Sequence, residues 1–416
     1  MEKTKLRFGV ADNLDDKLID RLKQYPVEEI YGKLSEDAVG GGRASILIPP
    51  LSKKAFEKHL KLAHEAGLKY NYLLNAACLD NREITRQGQK DFRALLDWVA
   101  SLGIERVTLA NPFLLKLIKK NYPQMSCRIS VFAGVDHVRK AKMWEDMGAT
   151  SITLDSMLVN REFHTLEAIR KHIGIDLQLM VNNSCLSSCN MSQTHMGFLA
   201  HASQKDHHSG GFSPDYCYTY CSSMKLREKV NYVRADWIRP EDLQRYIDMG
   251  YNYFKITERT APTYMLEKRV KAYTEQHYDG NLLDLVQPFA YPEPEEGVEA
   301  TTTGVSQLRF IMKFAKPWLV NPLKLLPLKN LADKRNLLTP RKGENPVSID
   351  NRKLDGFLEK FPKKGCRELN CETCRYCHEW AEKSVEIDEA HRQEVLDIYD
   401  EVDDLMESGS LWKYFK

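Results

Sequence analysis

Through its first 280 residues the chain alternates short, densely apolar runs with stretches whose apolar positions recur every three or four residues, the patterns of buried strands and one-faced helices. The short runs are Leu6–Ala11, Glu28–Lys33, Leu68–Leu74, Arg106–Ala110, Cys127–Ala133, Ser151–Asp155, Asp176–Val181 and Asn252–Ile256. The helical stretches that follow them fall at 14–25, 52–67, 84–103, 112–122, 136–148, 161–174, 240–250 and 263–278. This series of strand–helix units predicts an α/β fold, a closed parallel (β/α)8 barrel of the TIM type. An open doubly wound sheet would need a Gly-rich phosphate turn after the first strand, but Gly9 lies inside that strand and the turn reads Asp12-Asn13-Leu14-Asp15-Asp16. Gly67, Gly103, Gly148, Gly174 and Gly250 close helical stretches and are predicted left-handed C-caps.

After the seventh strand the pattern breaks into a long polar loop, 183–225, carrying Cys185, Cys189, Cys217 and Cys221 as two CxxxC pairs. Structural cysteines usually sit singly on apolar faces, whereas these lie among Asn, Ser, Gln and Tyr. Disulfides are disfavoured because MEKTKLRFGVADN has no apolar leader run, so a reducing cytoplasm is expected. A metal site is the remaining reading, and the spacing fits zinc and an iron–sulfur cluster equally.

In such barrels the loops at the C-terminal strand ends build the site, which places the cysteine loop over the mouth. Asn75, Asn111, Asp155, Asn182, Asn183, Lys255, Glu258 and Arg259 stand at or just past strand ends and are expected to face the same space. Each Asn or Asp also suits a turn or helix cap. Lys255 differs, because a lysine in an apolar barrel strand is costly unless paired or used; pairing with Glu258 is the simpler alternative. His195 and His201 lie close enough to the cysteines in sequence to tune a metal or act on substrate. His207 and His208, in a polar stretch, are expected in solvent. Cys127 is expected buried; packing is favoured for Cys78, with an extra ligand or a reactive thiol as the alternatives.

Past residue 280 the composition shifts. A Pro-, Glu- and Thr-rich linker (281–305) leads to an apolar, basic segment (306–350), in which 309–342 carries nine Lys or Arg against the single Asp333. Pro317, Pro322 and Pro327 prevent one continuous helix there. Packing along the barrel is one role for 309–342, and contact with an acidic partner, a peripheral membrane surface or nucleic acid is the other. The last region, 351–416, holds Cys366, Cys371, Cys374 and Cys377, whose CxxCxxC core suits a second iron–sulfur cluster or a structural zinc. Residues 379–409 then read as one acidic amphipathic helix whose charge could face the basic segment. Formal net charge is only +2, which excludes a dedicated nucleic-acid binder, and no apolar run reaches the ~20 residues of a membrane span.

The runs NNSCLSSCNMSQTHMGFLAHASQ, DYCYTYC and DWIRPEDLQRYIDMGYNYFKITERT resemble the collagenase-like peptidase family over roughly residues 5–290. The family's usual motif has a wider gap in the first cysteine pair and a Lys-Ile-x-Gly-Arg stretch, where this chain has CxxxC and Lys255-Ile256-Thr257-Glu258-Arg259, marking a divergent branch. The resemblance implies a barrel with a 4Fe-4S cluster on Cys185, Cys189, Cys217 and Cys221, and a paralogous partner subunit or an electron donor. The family name implies proteolysis, yet the chain has no HExxH and no recognisable nucleophile elbow. Relatives implied to hydroxylate a quinone precursor or RNA bases without oxygen make a redox modifying enzyme the expectation, with a peptidase or a non-catalytic metal-stabilised scaffold or electron carrier as the alternatives; Lys255, Glu258, Arg259, His195 and Asn182 are the candidate catalytic residues and the substrate is unknown.

Overall fold

The computed structural model describes residues 5–211, 213–294, 316, 319–337, 339–367 and 369–412. Strands β1 (Arg7–Ala11), β2 (Val27–Gly32), β3 (Lys69–Leu74), β4 (Arg106–Leu109), β5 (Ser126–Ile129), β6 (Ser151–Thr153), β7 (Asp176–Met180) and β8 (Tyr253–Ile256) pair in parallel, in that order, into a closed barrel. Helices follow each strand, and the expected (β/α)8 architecture is present. Gly67, Gly103, Gly148 and Gly250 take the left-handed conformation, but Gly174 does not. There the helix Phe163–His172 unwinds through an extended Ile173, and the Gly174 N–H donates to Glu145 instead, at 2.8 Å. The fifth strand stops at Ile129 because the Ser130 side chain accepts from Phe132 N and starts a single 3-10 turn. Cys127 therefore lies within β5 and is buried.

Outward-facing strand residues such as Phe8, Ile30, Val107 and Ile129 pack under the helices, while the barrel interior is polar. The Glu29 carboxylate is fully buried and ion-paired to both Arg106 and Arg128. Asn71 Nδ2 donates to it at 3.0 Å, and Thr108 continues the network by donating to Asn71 Oδ1 at 2.9 Å. Gly9 makes room for this cluster: a Cβ there would stand 3.2 Å from Glu29 Oε1 and 3.0 Å from Gln178 Nε2. Burial would raise the Glu29 pKa, and the two guanidinium groups overcome that and hold it at about 2.

The C-terminal part shares this core, since Val347, Ile349, Phe357, Val395 and Tyr399 are continuous with the barrel cluster. Strands β9 (Val347–Ile349) and β10 (Val385–Ile387) form a small antiparallel pair. β10 splits the acidic stretch expected to be one helix, leaving helices Tyr376–Ser384 and Glu389–Glu407. Much of the linker, 295–305, and residues 306–315, 317 and 318 of the basic segment lie outside the described residues. The rest of that segment includes a helix, Leu326–Lys334, with Pro327 in its first turn. Lys334 meets Glu394 of the acidic helix at 2.5 Å, the charge pairing the sequence suggested. Among the described residues no helix is long and apolar enough to cross a membrane.

Because removing one partner strands buried charge, Glu29→Gln should destabilise the fold by about 3–5 kcal/mol. Urea unfolding of the purified variant checks this, and a loss within ~0.5 kcal/mol of the parent would show the cluster to be energetically idle.

Candidate functional site at the barrel mouth

A cavity of about 690 Å³ opens at the C-terminal strand ends. The chain leaves β7 through Asn182, whose amide donates to the Thr257 and Leu285 carbonyls at 2.9 and 3.1 Å and whose oxygen accepts from Thr257 N at 2.6 Å. These bonds commit its side chain to the backbone, so Asn182 is a clamp between strand ends rather than a group free for substrate. Cys185 and Cys189 follow on irregular backbone, and Cys217 and Cys221 occupy one face of the helix Tyr216–Arg227, being four residues apart. All four cysteines line the cavity.

Their surroundings suit soft ligands. Burial, with Asp236 adding to it, pushes the Cys185 thiol up to about 12, and burial with Asp215 puts Cys217 at about 11. A bound cation would release those protons. Lys225 donates to the Ser184 carbonyl and favours ionised Cys185 and Cys221. Among the described residues no three cysteine sulfurs lie within 4.8 Å of one another. His195 meets Asp215 through Nε2 at 2.9 Å, and both line the cavity. Asp215 also caps the helix that carries Cys217 and Cys221, accepting from Tyr218 N at 3.0 Å.

The floor is cationic. Lys255 is 8% exposed and sits 4.2 Å over the Tyr31 ring; burial, reinforced by Arg128, brings its pKa down to about 7. It does not pair with Glu258, which binds Arg43 instead, with Arg43 Nε donating at 2.9 Å. Glu258 adopts φ +150°, a conformation that costs a non-glycine residue about 1–3 kcal/mol and clusters at functional sites. Arg259 is 6% exposed and lines the cavity, and its guanidinium has no hydrogen-bond partner among the described residues. Arg43 was not apparent from the sequence, although its signal is there: it follows Gly40-Gly41-Gly42, and a Cβ on Gly41 or Gly42 would come within 2.9 Å of Asn75 or Phe132. Such a close-packed glycine loop brings the next side chain over the mouth. Leu325, Leu326 and Leu328 extend the lining on the outer side.

Other expected mouth residues divide. Asn75 and Asn183 line the cavity, whereas Asn111 and Asp155 cap helices by accepting from Phe113 N and Met157 N. His201 and His207 lie off the cavity and stack on each other at 4.7 Å; His207 is half-buried rather than in solvent, while His208 is exposed. Cys78 is half-buried off the cavity, its sulfur accepting from Asp80 N at 3.4 Å. The second cysteine group docks on the loop after β6: Cys366 N donates to Glu162 at 2.7 Å, and Lys360 Nζ meets Cys374 Sγ at 2.8 Å.

A parallel eight-stranded barrel with its large cavity at the C-terminal strand ends belongs to the class in which that face carries the active site. Residues 43–281 match Peptidase family U32, and the chain belongs to that family. An uncharacterized protease of Methanocaldococcus jannaschii is 27% identical over 371 residues, covering 89% of this chain and 92% of that protein. The tRNA hydroxylation protein P of Escherichia coli is 25% identical over 153 residues, 36% of this chain and 32% of its own length. The solved U32 peptidase Mk0906 superposes with TM-score 0.46 at 19% identity, covering 61% of this chain and 93% of that one.

The lowered lysine sets a sign. Between about pH 7 and ~10.4 the unfolded chain holds a proton that folded Lys255 has lost, so this group's contribution to stability rises with pH across that window. Lys255→Met should therefore be more stable than the parent at pH 7, by about 1–4 kcal/mol, with the gap shrinking toward pH 10. Urea unfolding at the two pH values measures it; a gap independent of pH would mean that Lys255 stays charged in the fold.

Proposed function

We propose that the chain is an iron–sulfur-dependent modifying enzyme that carries out oxygen-independent hydroxylation, or a related redox change, on a small-molecule, lipid-precursor or RNA substrate. The observation that carries this reading is one cavity lined by four cysteines and, on its floor, by Lys255, Arg43 and Arg259. Four sulfur donors on one cavity with a nearby lysine support a 4Fe-4S cluster held by Cys185, Cys189, Cys217 and Cys221. When bound, such a cluster supplies one-electron transfer. The C-terminal cysteines would hold a second 4Fe-4S cluster, or zinc, and an electron donor or paralogous subunit is the expected partner.

The chain's own groups do the rest. Arg259 offers a planar, unengaged guanidinium to a carboxylate or phosphate. Glu258 holds Arg43 beside it. Lys255, near neutrality, can take up or give a proton at Nζ. His195, held at Nε2 by Asp215, keeps Nδ1 for exchange, and the apolar walls limit water. The relative that hydroxylates tRNA by name supports a modifying chemistry within the family. Peptide hydrolysis is the second reading, favoured by the His195–Asp215 pair, but among the described residues no serine hydroxyl or thiol is hydrogen-bonded to His195.

Anaerobically purified protein should carry about eight irons per chain, four per cluster, and Cys217→Ala should lose about half of that while remaining folded. Mass spectrometry of small molecules, lipids, RNA and peptides from cells with and without the gene should find a product heavier by one oxygen that vanishes in the Arg259→Ala strain. Shortened peptides without an oxygenated product would replace this reading with proteolysis, and an iron-free protein would remove the redox reading.

A further inference from the structure

A second donor set lies away from the cavity. Asp80, His201 and His207 each offer one ligand atom, and these atoms all lie within 4.8 Å of one another. None of the three lines the cavity. Asp80 belongs to the loop after β3, His201 ends the helix Ser192–His201, and His207 stands six residues further along the cysteine loop.

The two imidazoles are stacked nearly parallel, 10° apart, and the Nε2 atoms of both are buried without a hydrogen-bond partner. Leaving two such atoms unsatisfied costs about 1–3 kcal/mol each, and ring stacking does nothing for them. A cation between them and a carboxylate would satisfy both. Ser209 N donates to His207 Nδ1 at 3.2 Å and Ser209 Oγ lies 2.9 Å from the same nitrogen; coordination through Nε2 requires the other tautomer, in which Nδ1 carries the proton and donates it to Oγ, the outer contact that metal-bound imidazoles favour.

We propose that Asp80, His201 and His207 bind one divalent ion of the zinc class, with three protein ligands and a water-filled fourth position. Two imidazoles and one carboxylate are the borderline ligand set such ions select, and ~2.1 Å bonds need ligand atoms ~3.4 Å apart, so binding turns the two rings out of their parallel stack until both Nε2 lone pairs point at the ion. The ion's place gives it a role. The loops it joins already touch, since Gln204 Nε2 donates to the Cys78 and Val39 carbonyls at 2.8 and 3.1 Å and Lys205 N donates to Asp37 O at 2.8 Å. The ion staples the segment between the two cysteine pairs to the barrel top. It does so whatever chemistry the cavity performs.

Cobalt(II) added to the anaerobically purified full chain separates this site from the cysteines, because a nitrogen and oxygen site gives visible ligand-field bands without the sulfur charge-transfer bands of thiolate-bound cobalt. One such cobalt per chain is expected, displaced by zinc, with affinity falling at least tenfold in His207→Ala and in Asp80→Asn. Zinc should also slow tryptic cleavage at exposed Lys205 in the parent and not in His207→Ala. Sulfur-type bands alone, or affinity and cleavage unchanged in both variants, would overturn the site.

Discussion

The barrel is organised around one buried carboxylate. Glu29, wholly inside the strands, is bracketed by two guanidinium groups; Arg106 reaches a second carboxylate, Glu28, at 3.7 Å, whereas Arg128 lies deeper beneath the mouth. Arg128 also lies against the Tyr253 ring, 4.6 Å from its centre, and cannot swing away to water. Above this layer Lys255 meets Arg128 from below and Arg259 and Arg43 from the mouth side, and all three disfavour its proton. A floor built this way lowers the pKa of one amine and, among the described residues, leaves the Arg259 guanidinium without a hydrogen-bond partner on the cavity. The polar interior weakens the barrel as a core and strengthens it as a receptor.

The cysteine loop is held from two directions. On the barrel side Asn182 and the contacts of Gln204 fix its start and its middle. On the outer side the helix Tyr216–Arg227, which presents Cys217 and Cys221, is gripped by the helix Glu389–Glu407: Thr219 donates to Asp403 at 2.9 Å, Tyr216 to Glu407 at 2.7 Å, and Arg392 Nε to the Leu226 carbonyl at 2.7 Å. The acidic helix thus serves the mouth and is not a separate appendage. Its other neighbour is the helix Leu326–Lys334, whose leucines line the same cavity. Cavity, cysteine helix and C-terminal part form one packed unit.

The barrel was legible because strand and helix periods differ and each strand–helix unit repeats the same contrast. Lys255 was legible for the related reason that a charge in an apolar strand must have a use. What failed to show were properties set by tertiary partners. Asn182 looked like a mouth residue and is spent on three backbone groups of β8 and the Leu283–Val286 helix. Glu258 sits three residues from Lys255, yet in this strand and turn that spacing points them apart, and the carboxylate finds Arg43 from another loop. Asp215 gave no periodic signal, because a helix cap and a histidine partner look alike in sequence. The break at β10 was hidden within an amphipathic acidic run, since Val385 and Ile387 alternate as a strand does but two positions are too few to set a period against the helical residues on either side.

The two cysteine groups, far apart in sequence, approach two neighbouring side chains, Asp236 and Arg161. Asn183 beside Cys185 donates to Asp236 at 3.0 Å, and burial holds Asp236 at about 6, with the Arg161 cation opposing that rise. Arg161 in turn is half-buried, packed over Trp237 and Phe357 at 4.7 and 4.9 Å, and it favours the ionised forms of Cys366 and Cys377. The fold therefore joins its two cysteine groups electrostatically through side chains that belong to neither.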